Sequence, residues 1–159
     1  MSVYSSERGI SKVEYINTAR DIEVFLIKRR LECRNKKVTT FIGKHLIDHS
    51  VEVLNSVTKA NRVRVEKGNT KNRDIRKRFL YNALDELDVL ESQLAVCQEI
   101  YKNDFLTPSL LKDVSAKLRT ERKLIMGVMA SDTVRFSNPN EVLDSLFGKI
   151  ENCSVEIIT

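Results

Sequence analysis

The stretch from Phe79 to Tyr101 has the clearest pattern of hydrophobic and polar positions in the chain. Apolar residues recur there at alternating steps of three and four positions, at Leu80, Ala83, Leu87, Leu90, Leu94, Cys97 and Tyr101. The positions between them are mostly charged or amide side chains, and neither Gly nor Pro interrupts them. This spacing predicts one long helix with a narrow buried seam, which other helices must cover.

Three further amphipathic stretches predict those covering helices. Ser11 and Glu14 have the spacing of a capping box at the start of the first. Thr39 or Thr40 can begin the second, and Gly68-Asn69-Thr70 is the clearest break in the chain. Thr107-Pro108 is a typical start for the last. Together with the seam, these signals predict helices over residues 11–34, 39–67, 72–102 and 108–130.

The same spacing predicts which residues face inward. Val24, Phe25 and Leu31 widen the apolar face of the first helix, so it can touch more than one neighbour. Gly127, inside the fourth helix, is expected where two helices approach closely. The remaining inward positions are Tyr15, Ile16, Ala19, Ile22, Leu26 and Ile27 on the first helix, Phe41, Ile42, Leu46, His49, Val53, Val57 and Ala60 on the second, and Leu111, Val114, Leu118, Ile125 and Val128 on the fourth.

Long helices with short connections predict an all-α fold. The expected topology is an up-down-up-down antiparallel four-helix bundle over residues 1–132. The composition changes after Ser131-Asp132, so residues 133–159 are interpreted as an appendix. A short helix is predicted there over about 139–147, followed by an extended tail that can cover the bundle, join another subunit or bind a partner.

Composition sets limits on the class of protein. The 159 residues carry a formal net charge of +5, and the three Cys residues are widely separated without a Cys-x-x-Cys motif. This predicts neither a disulfide framework nor a zinc ribbon, and Cys97 is expected to be a reduced core residue. Neither a secretory leader nor a membrane-spanning run is present, so we expect a cytoplasmic protein that does not enter a membrane.

No set of catalytic residues can be argued from the sequence. The two His residues, His45 and His49, both fall on the second helix without the Glu-x-x-His motif of di-iron bundles. With Asp48 and Glu52 nearby a metal site is one interpretation, and two partly buried imidazoles at a helix interface is the other. We therefore predict a protein that is not an enzyme and needs no cofactor.

Basic residues are concentrated around the predicted second turn. Residues 59–78 hold nine Lys and Arg residues and two acidic ones, so the net positive charge of this segment alone is larger than that of the whole chain. In the expected topology the segment lies at one end of the bundle, where the fourth helix adds Lys117, Arg119, Arg122 and Lys123. The expected phosphate contacts here are Arg62, Arg64, Lys67, Lys71, Arg73, Arg76, Lys77 and Arg78. A secondary set at the end of the first helix, at the other end of the bundle, is Arg29, Arg30, Arg34, Lys36 and Lys37.

Two interpretations of this charge remain open. One is phosphate binding, whose affinity would fall steeply with salt, and the other is ordinary solvated surface. No aromatic residues are interleaved among the cations, so contacts are expected to be with the nucleic-acid backbone rather than with sequence.

Several segments resemble the four-helix proteins that include the accessory variability determinant of diversity-generating retroelements and the ribosomal intervening-sequence proteins. The resemblance covers about residues 15–132. It rests on Ala60-Asn61, the basic entry Arg73–Arg78, the run Ala83-Leu84-Asp85-Glu86-Leu87-Asp88-Val89-Leu90, and the closing Arg122-Lys123-Leu124-Ile125-Met126-Gly127-Val128-Met129. The tail from Thr133 onward has no counterpart in these proteins.

The resemblance implies a function as well as a fold. It implies a non-enzymatic homopentamer that binds a reverse transcriptase together with template RNA or cDNA during mutagenic reverse transcription. The basic residues named above would then contact RNA and polymerase. Three alternatives remain: a structural or assembly protein that binds another protein through apolar helix faces and the tail, a regulatory protein of the intervening-sequence type without a polymerase, and an enzyme with a metal bound at His45 and His49.

Overall fold

A computed structural model describes residues 4–101 and 104–136, with side chains from residue 14 onward. The described chain is all-helical, and four of its helices are long. The elements are α1 (Tyr4–Glu32), α2 (Lys36–Val38), a π-helical segment (Thr39–Gly43), α3 (Lys44–Arg62), α4 (Thr70–Tyr101) and α5 (Pro108–Phe136). None of the described helices is apolar over a length sufficient to cross a membrane. The short helix and tail predicted after residue 136 lie outside the described residues.

Each of the four long helices packs against two others. The helix α3 packs against α1 and α4, and α5 packs against the same two helices. The seam of α4 is buried at Leu80, Ala83, Leu87, Leu90, Leu94 and Cys97, as its spacing predicts. Phe105 and Leu106, in the connection before α5, close the core at one end. Burial raises the pKa of the Cys97 thiol to about 11, with a smaller contribution from Cys33, so Cys97 is protonated at neutral pH.

Helix ends follow local capping chemistry, and two of the predicted starts are wrong. The helix α1 already begins at Tyr4, so Ser11 does not cap it. The second helical stretch begins at Lys36 because Asn35 caps it: the Asn35 side chain accepts from the backbone N–H groups of Lys37 and Val38. The predicted cap Thr107 is confirmed, since its hydroxyl oxygen accepts from the Leu110 N–H at 3.4 Å.

Two helix ends also differ from the prediction. The helix α3 ends at Arg62 rather than at residue 67, because Val63 adopts an extended conformation with φ −73° and ψ 113°. The helix α5 continues to Phe136, past the predicted end at 130 and past the predicted domain boundary at 132. Because of this extra length, residues after position 130 form the far end of α5.

Some inward predictions are wrong. Phe41 is 66% exposed and Leu31 is 79% exposed, and Val24 and Ile27 are also open to solvent. The π-helical segment contains Phe41, and its wider turn carries that residue off the inner face while Val38 and Leu46 stay buried. Gly127 marks no close approach, because a Cβ added there would meet no atom within 4 Å.

Candidate nucleic-acid interface

The connection between α3 and α4 is a short, defined loop. Gly68 has a φ of +83°, in the left-handed region that Gly adopts without strain. Asn69 caps α4, since its side-chain oxygen accepts from the Asn72 N–H at 3.1 Å. The Asn72 amide donates in turn to the Arg64 carbonyl oxygen at 3.0 Å. These bonds fix the path of the loop, and with it the positions of the cations on and beside it.

Most cations predicted here are exposed. The exposed ones are Arg62, Arg64, Lys67, Lys71, Lys77 and Arg78. Arg64 lies 3.2 Å from Glu66, in a pair that is largely open to solvent and therefore weak. Within the described part of the chain, Arg62, Lys67, Lys71 and Arg78 have no carboxylate partner. Together with the loop they form a surface, the α3–α4 end (residues 62–78), that presents several unneutralised cations to solvent.

Two cations of the same segment are held by the end of α5. The Arg76 guanidinium Nε lies 2.6 Å from a carboxylate oxygen of Asp132, a close ion contact without hydrogen-bond alignment. Both side chains are largely buried, at 14% and 16% exposed. Arg73 donates to the Phe136 carbonyl oxygen at 3.5 Å. These two arginines therefore join the start of α4 to the last turns of α5.

The cations predicted from the middle of α5 do not reach the α3–α4 end. Arg122 contacts Asp88 and lies 3.5 Å from Glu91, more than two turns further along α4 than Arg78. Arg119 donates to the carbonyl of Ser115 within its own helix at 3.2 Å, and Lys123 is exposed one position beyond Arg122. Because α5 runs on to Phe136, Asp132 and Phe136 occupy the place expected for these residues.

The secondary cluster lies where α1 ends. Arg29 donates to the Phe105 carbonyl oxygen at 2.9 Å and to Glu32 at 2.5 Å, so it joins α1 to the α4–α5 connection. The aliphatic stem of Arg30 lies over Gly43, where an added Cβ would come within 3.3 Å of it. Arg34, Lys36 and Lys37 are exposed. This cluster is therefore separate from the α3–α4 end.

Two cavities open beside the α3–α4 end. One, of about 310 Å³, lies between α4 and α5 and is lined by Arg73, Lys77, Tyr81 and Met129 among others. The Lys77 ammonium lies 5.7 Å from the centre of the Tyr81 ring. The second, of about 320 Å³, is lined by Arg62, Arg64, Arg76 and Asp132 with neighbouring loop residues. Tyr81 was not among the residues expected here, although its place four positions after Lys77 is a helical-face signal.

The two histidines have different surroundings. The Nδ1 atom of His49 lies 2.6 Å from a carboxylate oxygen of Glu86, whereas His45 is exposed rather than partly buried. Within residues 4–101 and 104–136, no three His, Cys, Asp or Glu side chains are grouped closely enough to hold a metal ion. The His49–Glu86 contact therefore serves to join α3 to α4.

One fully buried acid was missed by the sequence reasoning. Glu121 of α5 is 0% exposed, and neither of its carboxylate oxygens has a hydrogen-bond partner in the described chain. Burial raises its pKa to about 8. The Tyr15 hydroxyl is also buried without a described partner, and its pKa is raised mainly by burial, with Arg76 opposing and Asp132 and Glu121 adding to the rise. The signal for Glu121 was its position between Leu118 and Ile125, at one step of the inward series.

No protein-family model, curated protein or solved structure matches this chain.

Proposed function

We propose that this protein is a non-enzymatic nucleic-acid-binding accessory subunit of a retroelement reverse transcriptase. The observation that carries the proposal is the α3–α4 end, where exposed cations gather on and beside a loop of defined path and four of them have no carboxylate partner in the described chain. Such a surface attracts a polyanion and holds it by releasing the counterions of its phosphates. The resemblance to the accessory variability determinant adds the polymerase and the template RNA or cDNA as proposed partners, and we propose a cytoplasmic location with them.

The proposed arrangement of the long helices is an up-down-up-down bundle. Two contacts support an antiparallel arrangement of α4 and α5. Arg76 with Asp132 joins the start of α4 to the end of α5, and Arg122 with Asp88 joins the middle of α4 to the middle of α5. His49 with Glu86 gives the same relation between α3 and α4. In this topology the α3–α4 end and the end of α1 lie at opposite ends, so one face can hold RNA while another docks the polymerase.

Binding at the α3–α4 end would be mainly electrostatic. Arg62, Lys67, Lys71 and Arg78 are the proposed phosphate contacts, because they are exposed and have no carboxylate partner in the described chain. Arg76 has a second role that competes with phosphate binding, since Asp132 already holds it. Contacts of this kind position a strand without reading its bases.

Reversing Lys67, Lys71 and Arg78 to Glu is expected to weaken binding to single-stranded RNA about 10- to 100-fold at moderate salt. Three phosphate contacts would be lost, so the slope of log affinity against log salt should fall by about two. Fluorescence anisotropy across a salt series measures both. The matched control reverses Arg20, Lys44 and Lys112, which are exposed elsewhere and give the same change in net charge. Equal losses in the two variants, or no loss in either, would contradict the proposed site.

Self-association is proposed through the outer face of α1. Val24, Ile27 and Leu31 follow one another at helical spacing, and Leu31 and Phe41 are the most exposed large apolar residues near the end of α1. An apolar stripe of this kind on a long helix is typical of a subunit interface. The expected assembly, from the resemblance, is a homopentamer.

Changing Leu31 and Phe41 together to Glu is therefore expected to shift the protein to monomers in sedimentation velocity, while its helical circular dichroism is retained. Both side chains are exposed in the isolated chain, so the change leaves the core intact. The control is Val134→Glu, at an equally open apolar position on α5. A double variant that sediments like the unmodified protein would show that this face is not the interface.

A second candidate function is an assembly protein that binds another protein through apolar helix faces. Val89, Val96 and Ile100 favour it, because they form a separate exposed stripe along α4. This candidate predicts no RNA binding at any salt concentration, so the anisotropy series above separates the two functions. A reverse transcriptase gene with template and variable repeats beside this gene would favour the first.

A further inference from the structure

The cavity between α4 and α5 combines three features at one place. Its volume is about 310 Å³, which lies at the lower end of the range for small-molecule sites. Tyr81 lines it and is 48% exposed, so an aromatic surface is open to an incoming planar group. Met129 and Leu80 supply an apolar lining, and the charged lining consists of Arg73 and Lys77 together with the carboxylates of Asp74 and Asp132.

These features differ from those of a purely backbone-binding surface. Cations alone attract phosphates, whereas an exposed aromatic ring beside an apolar lining binds the flat face of a base. The Lys77 ammonium lies over the Tyr81 ring, 5.7 Å from its centre, in a cation–π contact. A base therefore stacks on the part of the ring that this ammonium leaves open, and Lys77 lies beside the phosphate attached to that base. Asp74 and Thr133, which also line the cavity, offer hydrogen-bond acceptors to a base edge, since the Thr133 hydroxyl already donates to the Met129 carbonyl oxygen at 2.9 Å.

We propose that this cavity holds one unstacked nucleobase of a single-stranded nucleic acid, stacked on Tyr81, with Lys77 on a flanking phosphate. The inference rests on the proposed function and deepens it, because it names the form of nucleic acid that the protein prefers. A base in a duplex is paired and stacked within the helix, so its flat face is not offered to Tyr81. The protein therefore distinguishes single strands from duplexes at this cavity.

The test compares Tyr81→Ala with Tyr81→Phe in the full chain. Anisotropy is measured with a labelled 20-nucleotide single strand, with the matched blunt duplex, and with a strand of the same length made of abasic nucleotides. Tyr81→Ala is expected to weaken single-strand binding about fivefold or more, the loss expected when one base loses its aromatic platform. Tyr81→Phe keeps the ring and is expected to bind as the unmodified protein does.

The other arms separate stacking from charge. Tyr81→Ala removes no charge, so duplex affinity, abasic-strand affinity and the salt slope are all expected to stay unchanged. Ile100→Ala, at an exposed apolar position near the other end of α4, is the control for loss of exposed apolar surface. Circular dichroism confirms that each variant is folded.

Each outcome distinguishes this inference from the function on which it rests. If Tyr81→Ala binds the single strand normally while the Lys67, Lys71 and Arg78 reversal loses affinity, the base site is wrong and the proposed function stands. If Tyr81→Ala weakens single strand, duplex and abasic strand equally, stacking is also excluded. If the unmodified protein binds none of the three nucleic acids, the proposed function itself is wrong.

Discussion

Replacing Glu121 with Gln is expected to stabilise the protein much more at pH 9 than at pH 5, by a difference of about 3–4 kcal/mol in the free energy of unfolding. Glu121 is fully buried without a described hydrogen-bond partner, and its pKa in the folded protein is about 8 against an ordinary 4.5. The folded protein therefore binds a proton that the unfolded chain releases. Stability is lost as the pH rises from about 4.5 through about 8, and Gln cannot lose a proton in this range.

Urea denaturation at pH 5, 7 and 9 measures this dependence. Glu121→Leu is expected to be more stable than the unmodified protein at every pH, because it also removes a buried polar group without a partner. The control is Glu99→Gln on the exposed surface of α4, which should show no such trend. The Tyr15 hydroxyl does not interfere, since its pKa is raised above 10 and it stays protonated throughout. A Glu121→Gln variant that gains no more stability at pH 9 than at pH 5 would contradict the interpretation.

Replacing Arg76 with Ala is expected to destabilise the protein by about 2–4 kcal/mol. Arg76 and Asp132 are largely buried, and Asp132 would lose the cation that lies 2.6 Å from it. The same change also loosens the joint between the start of α4 and the end of α5. Thermal or urea unfolding of the purified variant measures the loss.

Two further variants separate the effect of burial from the loss of an ion pair. Arg64→Ala breaks an ion pair that is open to solvent, and its cost should stay below about 1 kcal/mol. The double variant Arg76→Met with Asp132→Leu is expected to recover most of the stability, because it removes both charges and keeps the apolar volume. Equal costs for Arg76→Ala and Arg64→Ala would show that burial adds nothing to the Arg76 pair.

The seam of α4 shows what periodicity alone can predict. Six of its inward positions, from Leu80 to Cys97, are buried as expected, because a regular helix of this length turns every third or fourth residue to the same side. The prediction fails at Phe41 for the opposite reason. The π-helical segment interrupts the regular α-helical period there, and the residue types in this stretch do not indicate a wider turn.

The positive charge of the candidate site could be predicted from the sequence. Which of its cations are exposed and which are held in ion pairs could not. The cluster at residues 62–78 was visible in the sequence, and most of it is exposed. The sequence could not separate Arg76 from its neighbours, since its partner Asp132 is far along the chain and depends on how α4 and α5 pack. It also could not show that Tyr81, outside the cluster in sequence, shares a cavity with Arg73 and Lys77.

The π-helical segment at Thr39–Gly43 also sets how this region tolerates a change in length. Buried positions before and after it, at Val38, Leu46 and Ser50, are spaced by multiples of four, a step that drifts around an ordinary helix. The wider turn absorbs one surplus residue and returns the later positions to the core. Deleting a single residue here would leave an unbroken α-helix in which the buried residues on both sides still face the core. A homologue that is one residue shorter at this point is therefore expected to lack the π-helical segment and to keep the fold.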